Sequence, residues 1–210
     1  MKIISIFLIV FSFLGCANIK TSYHSAHGID YSPVNTKSQV QKIQELSQGT
    51  QEQKNSAIEE IKNHSDKYAP AVFFPVAREL FKQGKMDEAL FWFHAGRIRT
   101  IFDIKRCTDP TVKGAVVILS RNLPSEFYKK QAQNPDLTEK MIFKAINWDK
   151  ATPYNYDPRW IALHGIGAFQ GKLSPQLVIP EYKWGLLADQ NRRKYLQTSL
   201  NILQRLRSKK

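Results

Sequence analysis

The chain has 210 residues, 42% of them hydrophobic, with 31 Lys or Arg against 18 Asp or Glu and a net charge of +13. This is enough apolar material for a packed core and too much for a disordered chain. Two cysteines, Cys16 and Cys107, exclude a disulfide-dense scaffold.

Residues 1–16 open with Lys2, run apolar from Ile3 to Leu14 and end in Gly15-Cys16. A basic start, a short apolar stretch and a small residue make the layout of an export signal. About 12 apolar residues fall short of the roughly 20 that span a bilayer, which argues against a membrane-spanning anchor. An ordinary secretory signal is the other reading. With a cysteine directly after the small residue, the segment resembles a bacterial lipoprotein signal peptide, although Phe13 and Leu14 stand where that family favours Leu and a small residue. The resemblance implies cleavage before Cys16, lipid on its sulfur and a further acyl group on the new N-terminus. Ala17 follows the cysteine, where Asp would retain the protein at the inner membrane. The same resemblance therefore implies the outer membrane, facing the periplasm, or the outer face of a cell that has none. Several acyl chains hold durably, each buried methylene contributing about 0.8 kcal/mol.

Loss of residues 1–15 removes Lys2 alone among the charges and leaves 195 residues at +12. A basic exported protein meets anionic headgroups, wall polymers or acidic proteins. Export argues against nucleic acid. A solvated basic face with no partner is the bland alternative. With Cys16 lipidated, Cys107 is the one remaining thiol, and no disulfide within the chain can form. Lys105 and Arg106 precede it and could lower its pKa, but no spacing sets a base beside it, so a buried, inert thiol is expected.

Residues 17–36 are polar and aperiodic and read as a flexible tether. From Lys37 onward, helix formers dominate and β-type alternation is scarce. Helices are expected near 37–47, 51–63, 71–83, 86–105, 110–121, 124–132, 137–149, 158–164 and 180–207. Thr50 with Gln53, and Asp136 with Glu139, fit capping boxes. Asp109-Pro110 and Asp157-Pro158 each place a capping carboxylate before a first-turn proline, and Pro180 could open the last helix. Val116 to Leu119 reads as a buried helix, with a strand as the alternative. Residues 154–180 are irregular, with Tyr154, Tyr156 and Trp160 either a recognition loop or plugs that close the core.

Ala77, Leu80, Gly84, Ala89, Phe93 and Gly96 are spaced so that residues 70–103 resemble one tetratricopeptide or Sel1-like hairpin. Phe73 stands where that family has Trp, and Pro75 would delay the first helix. The resemblance implies two helices meeting across small residues with Gly84 in the turn. One unit only is apparent, whereas arrays need about three. The second helix is apolar all round and is therefore expected at the centre of the domain. Arg97 and Arg99 lie within it and need partners or water. Arg99 could pair with Asp103 four residues on; alternatively Arg97, Arg99, Arg106 and Asp103 line an anion pocket.

Residues 181–210 carry eight Lys or Arg and two acids, so half the mature charge sits in one seventh of the chain. Leu196, Leu200, Leu203 and Leu206 form a helical stripe with Lys194 and Arg205 opposite, while Arg192 and Arg207 must snorkel beside it. The helix either docks on an anionic surface or closes the core. His24 and His27 fall in the tether, and His64, His94 and His164 are isolated, with no zinc spacing, phosphate loop or nucleophile elbow.

The expected protein is an all-α domain at 37–210 with a central tetratricopeptide-like hairpin, following a signal peptide at 1–15 and a lipidated tether at 16–36. It is expected to be no enzyme and to carry no cofactor beyond lipid on Cys16. Membrane attachment is through that lipid. The expected role is binding of an envelope protein. Neutralising a secreted toxin, or holding anionic lipid or cell wall through the basic C-terminal helix, are alternatives. The candidate surface comprises Arg97, Arg99, Arg106, Arg192, Arg193 and Lys194.

Overall fold

The computed structural model describes residues 34–171 and 176–208. The expected signal peptide, Cys16, His24, His27 and most of the tether lie outside the described residues. The first pair of helices, α1 (Lys37–Gln48) and α2 (Gln51–Asn63), is separated by a turn at Gly49 and Thr50. The expected capping box is formed: Gln53 N–H donates to Thr50 Oγ1 at 3.3 Å, and Gln53 Oε1 accepts from the Thr50 N–H at 2.8 Å.

A 3₁₀ turn at Pro70–Val72 leads into α3 (Phe73–Lys82), so Pro75 falls in the first helical turn, where its missing N–H costs little. The link to α4 (Met86–Arg106) is a Schellman turn. Lys85 N–H donates to Leu80 O and Gly84 N–H to Phe81 O, both at 3.0 Å, with Gly84 at φ 77°. Gly96 lets α4 approach α3: a Cβ there would stand 3.2 Å from Phe74 Cε2 and 3.3 Å from Phe73 Cβ.

Helix α4 is the axis of the fold, with fourteen of its 21 residues buried. Helices α3, α7 (Pro135–Ala151) and α9 (Trp184–Arg207) pack around it. Trp92 meets Phe73 and Trp148 with centroids at 5.1 and 5.7 Å, and Phe93 meets Phe127 of α6 (Ser125–Gln133) at 5.1 Å. Both ring groups pack into one hydrophobic core. The described residues, from Val34 onward, form a single compact unit. The described residues are all-helical, with no strand beyond one isolated bridge between Cys107 and Val178.

Three local expectations are corrected. Val116 to Leu119 is helical in α5 (Ala115–Ser120), but Val117 and Ile118 are 52% and 58% exposed. This short edge helix buries only the face carrying Ala115 and Leu119. Asp136 does not cap α7, because Pro135 opens the helix two residues earlier than expected, with Asn134 at the cap. Asp136 and Glu139 receive Arg207 instead, at 2.7 and 2.6 Å. Residues 158–164 form a 3₁₀ turn followed by α8 (Ile166–Phe169). Asp109 and Asp157 do cap as expected, accepting from Thr111 and Arg159 N–H at 2.8 and 2.9 Å. Tyr156 and Trp160 are buried plugs.

Candidate functional site

The four cationic side chains of α4, with Arg192 and Lys194 of α9, separate into two groups. The first is a buried ionic network. Arg99 is fully buried, donates from Nε to Asp149 Oδ1 at 3.1 Å and from Nη2 to Thr152 O at 2.7 Å, and lies over the rings of Trp148 and Tyr154. Asp149 Oδ2 also accepts from Tyr154 Oη and Arg192 Nη1, both at 2.9 Å. Arg192 reaches Asp189 with its other arm at 2.6 Å. Asp103 pairs with Arg106, not with Arg99 as the i, i+4 spacing suggested, because Asp149 on α7 already claims Arg99.

Asp103 also accepts from Trp160 Nε1 at 2.7 Å and from Tyr156 Oη. Burial pushes its carboxyl up, against the pull of Arg106 and of those two donors. Arg106 Nη2 is 2.7 Å from Asp103 Oδ1 but poorly angled, so the contact is an ion pair and not a hydrogen bond. The guanidinium lies 4.6 Å from the ring centroid of Phe102 and 4.5 Å from that of Trp184. These ring faces stand in for hydrogen-bond acceptors. Arg99 and Arg106 are therefore no surface: they hold α4 to α7 and to the 156–160 segment. A cavity of about 320 Å³ beside Asp149, Tyr154, Trp184 and Arg192 belongs to the same network.

The second group faces a half-open groove of about 440 Å³, between α4, α6, α7 and α9. Helix α9 runs antiparallel to α4, fixed by Asn191 Nδ2 donating to Ile98 O at 2.9 Å and by a 2.6 Å hydrogen bond between His94 Nδ1 and Tyr195 Oη. Residues four apart stack along one face of a helix. The groove is thus lined on α4 by Lys105, Ile101, Arg97 and Phe93, and on α9 by Lys194, Thr198, Ile202 and Leu206. Tyr128, Gln131 and Ala132 of α6 and Thr138 and Ile142 of α7 complete it.

Three cations line this groove and no carboxylate does. Arg97 is oriented by Ser120, donating from Nη1 to Oγ at 3.1 Å, and by the Phe93 ring. Lys105 and Lys194 have no carboxylate partner among the described residues. Partial burial and the charge of Lys194 both hold the Lys105 ammonium below its ordinary range. Burial holds His94 down to about 3, with Arg97 adding to the effect, so the imidazole is neutral. Its Nε2 lies 3.3 Å from Gln131 Nε2, and the orientation of that amide decides which ring nitrogen carries the proton.

Of the six cations proposed from sequence, the structure brings Arg97 and Lys194 to the groove. Arg99, Arg106 and Arg192 belong to the network, and Arg193 is exposed on α9 outside both. Sequence reasoning missed Lys105, Tyr195 and Gln131. The four-residue track Phe93, Arg97, Ile101, Lys105 was available as a signal, but its apposition to α9 is a tertiary fact. Cys107, expected to be buried, is only half-buried at the edge of the core, and desolvation there pushes its thiol up. Among the described residues no group of three or more His, Cys, Asp or Glu could hold a metal, and no helix is long and apolar enough to cross a membrane. No family model, no curated protein and no solved structure matches the chain.

Proposed function

We propose that the chain is a non-catalytic binding module of the bacterial envelope, held at the membrane by lipid on Cys16, with the α4–α9 groove as its binding face. The observation that carries this reading is the groove's composition: an apolar lining, three cations and no acid. Such a lining favours an envelope partner that brings both apolar surface and negative charge. The titratable groups facing it are three cations, a histidine held neutral, and Tyr128 and Tyr195, whose hydroxyls burial pushes up, a set suited to holding charge and poorly suited to relaying protons.

A protein partner on the α3–α4 hairpin itself is less well supported, because α4 is occupied on most sides by α3, α7 and α9. The basic C-terminal helix contributes through Lys194, while Arg192 and Arg207 are engaged with Asp149, Asp189, Asp136 and Glu139.

Photo-cross-linking in intact envelopes tests the proposal, with the reactive group at Thr198 in the groove or at Glu52 on α2 of the full chain. A species captured from Thr198 alone, and lost with Lys105→Glu/Lys194→Glu, is expected. Equal capture from both positions, or capture indifferent to the charge reversal, would contradict it.

A further inference from the structure

Arg99 and Arg106 stand two turns apart on one face of α4, with Asp103 between them. Both are fully buried and lie against the same two rings. Arg99 is 4.5 and 5.9 Å from the centroids of Tyr154 and Tyr156, and Arg106 is 5.6 Å from each. The network supplies too few acceptors for this pair. Among the described residues, Arg99 Nη1 and Arg106 Nε and Nη1 have no hydrogen-bond partner, and Arg106 Nη2 keeps only its ion pair with Asp103. The acids nearby face other donors: Asp149 accepts from Arg99 Nε, Tyr154 and Arg192, and Asp103 from Trp160 and Tyr156. Negative charge is short as well. The guanidiniums of Arg99, Arg106 and Arg192 meet two buried carboxylates, while Asp189 reaches only Arg192, from a side chain 52% exposed.

The cavity of about 320 Å³ adjoins this cluster: Phe102, Tyr154 and Trp184, three of the rings against which Arg106 lies, are also its walls. Its charged walls among the described residues are Asp149, Lys150 and Arg192, so cations outnumber the acid there too. Small-molecule sites usually run from roughly 300 to 1,000 Å³, which places this one at the small end. We propose that Arg99 and Arg106 hold a small oxyanion, a carboxylate or a phosphate group, at their unpartnered nitrogens, admitted from this cavity. Ring faces attract each guanidinium as a whole, yet its planar N–H fork still matches an oxyanion bidentately. Water would satisfy those N–H groups but leave the positive excess in place, whereas an oxyanion answers both. The cavity shares no lining residue with the α4–α9 groove, so the inference does not rest on the groove's being the binding face.

Equilibrium dialysis of the purified full chain tests the inference, with radiolabelled inorganic phosphate and formate as separate probes. Saturable one-to-one uptake of one or both anions is expected. Preference for phosphate would assign a phosphate-bearing source, and preference for formate a carboxylate-bearing one. Arg106→Lys keeps the charge but loses the planar fork, and should weaken uptake about tenfold or more. Lys194→Glu reverses a cation of the groove and should leave uptake unchanged. Where Arg106→Lys does not fold, the stoichiometry of the native chain and its indifference to Lys194→Glu still decide. No saturable uptake of either anion, uptake lost in Lys194→Glu, or uptake unchanged in a folded Arg106→Lys overturns the inference.

Discussion

Asp149 holds two arginines and a tyrosine on its two oxygens while only 2% exposed. Removing its charge leaves Arg99 buried and uncompensated, and breaking a buried pair from one side costs about 3–5 kcal/mol. Asp149→Asn should therefore lower the unfolding free energy by about 3 kcal/mol or more in denaturant titration, whereas a loss under 1 kcal/mol would mean that the pair contributes little. His94 makes a second prediction at this scale. Its folded-state pKa, about 3, lies below the ordinary 6.5, so the unfolded chain takes up a proton that the folded chain refuses. Stability is complete above about pH 7 and falls as the pH drops through 6.5 toward 3, by about 1.4 kcal/mol per pH unit from this group. Melting curves from pH 7 to 4.5 should show that slope in the native chain and a shallower one in His94→Gln. Equal slopes would place the loss in other groups.

Gly84 decides the α3–α4 hairpin at the scale of elements. Its φ of 77° is one that L side chains rarely adopt, and nothing crowds a Cβ there, so the cost of Gly84→Ala is conformational alone. A loss of about 1 kcal/mol is expected in thermal or denaturant unfolding. An unchanged midpoint would show that the turn relaxes freely. This hairpin, the α2 capping box and the 3₁₀ caps at Asp109 and Asp157 were legible because each depends on residues within a few positions. The misreadings have the opposite origin. Asp136 has a capping spacing, yet Pro135 and the distant Arg207 claim that stretch. Val117 and Ile118 are apolar and look interior, but among the described residues packing covers only the face of α5 that carries Ala115 and Leu119.

Across the whole molecule, one kind of residue serves two purposes. Arginines that meet Asp103 and Asp149 bind α4 to its neighbours, and three cations with no carboxylate partner among the described residues line one groove. Composition announced the basic excess and the periodicity of α9 announced its apolar stripe. Arg106 and Arg192 each meet an acid three residues away, but Arg99 is neutralised by Asp149, 50 residues on, and no local pattern carries that pairing. The centrality of α4 was legible from its apolar circumference; the groove beside it was not, because the groove exists only where α9 lies antiparallel on α4.

Lysine reactivity tests the binding-face claim most directly. An amine-acylating reagent would be applied to native envelopes and to the purified full chain, and each lysine read by mass spectrometry. Lys82 and Lys129, with side chains 56% and 65% exposed, serve as references. Relative to them, Lys105 and Lys194 should be protected in the envelope and reactive in the purified chain. The same ratios in both preparations would contradict an occupied groove and leave the three cations as a solvated face.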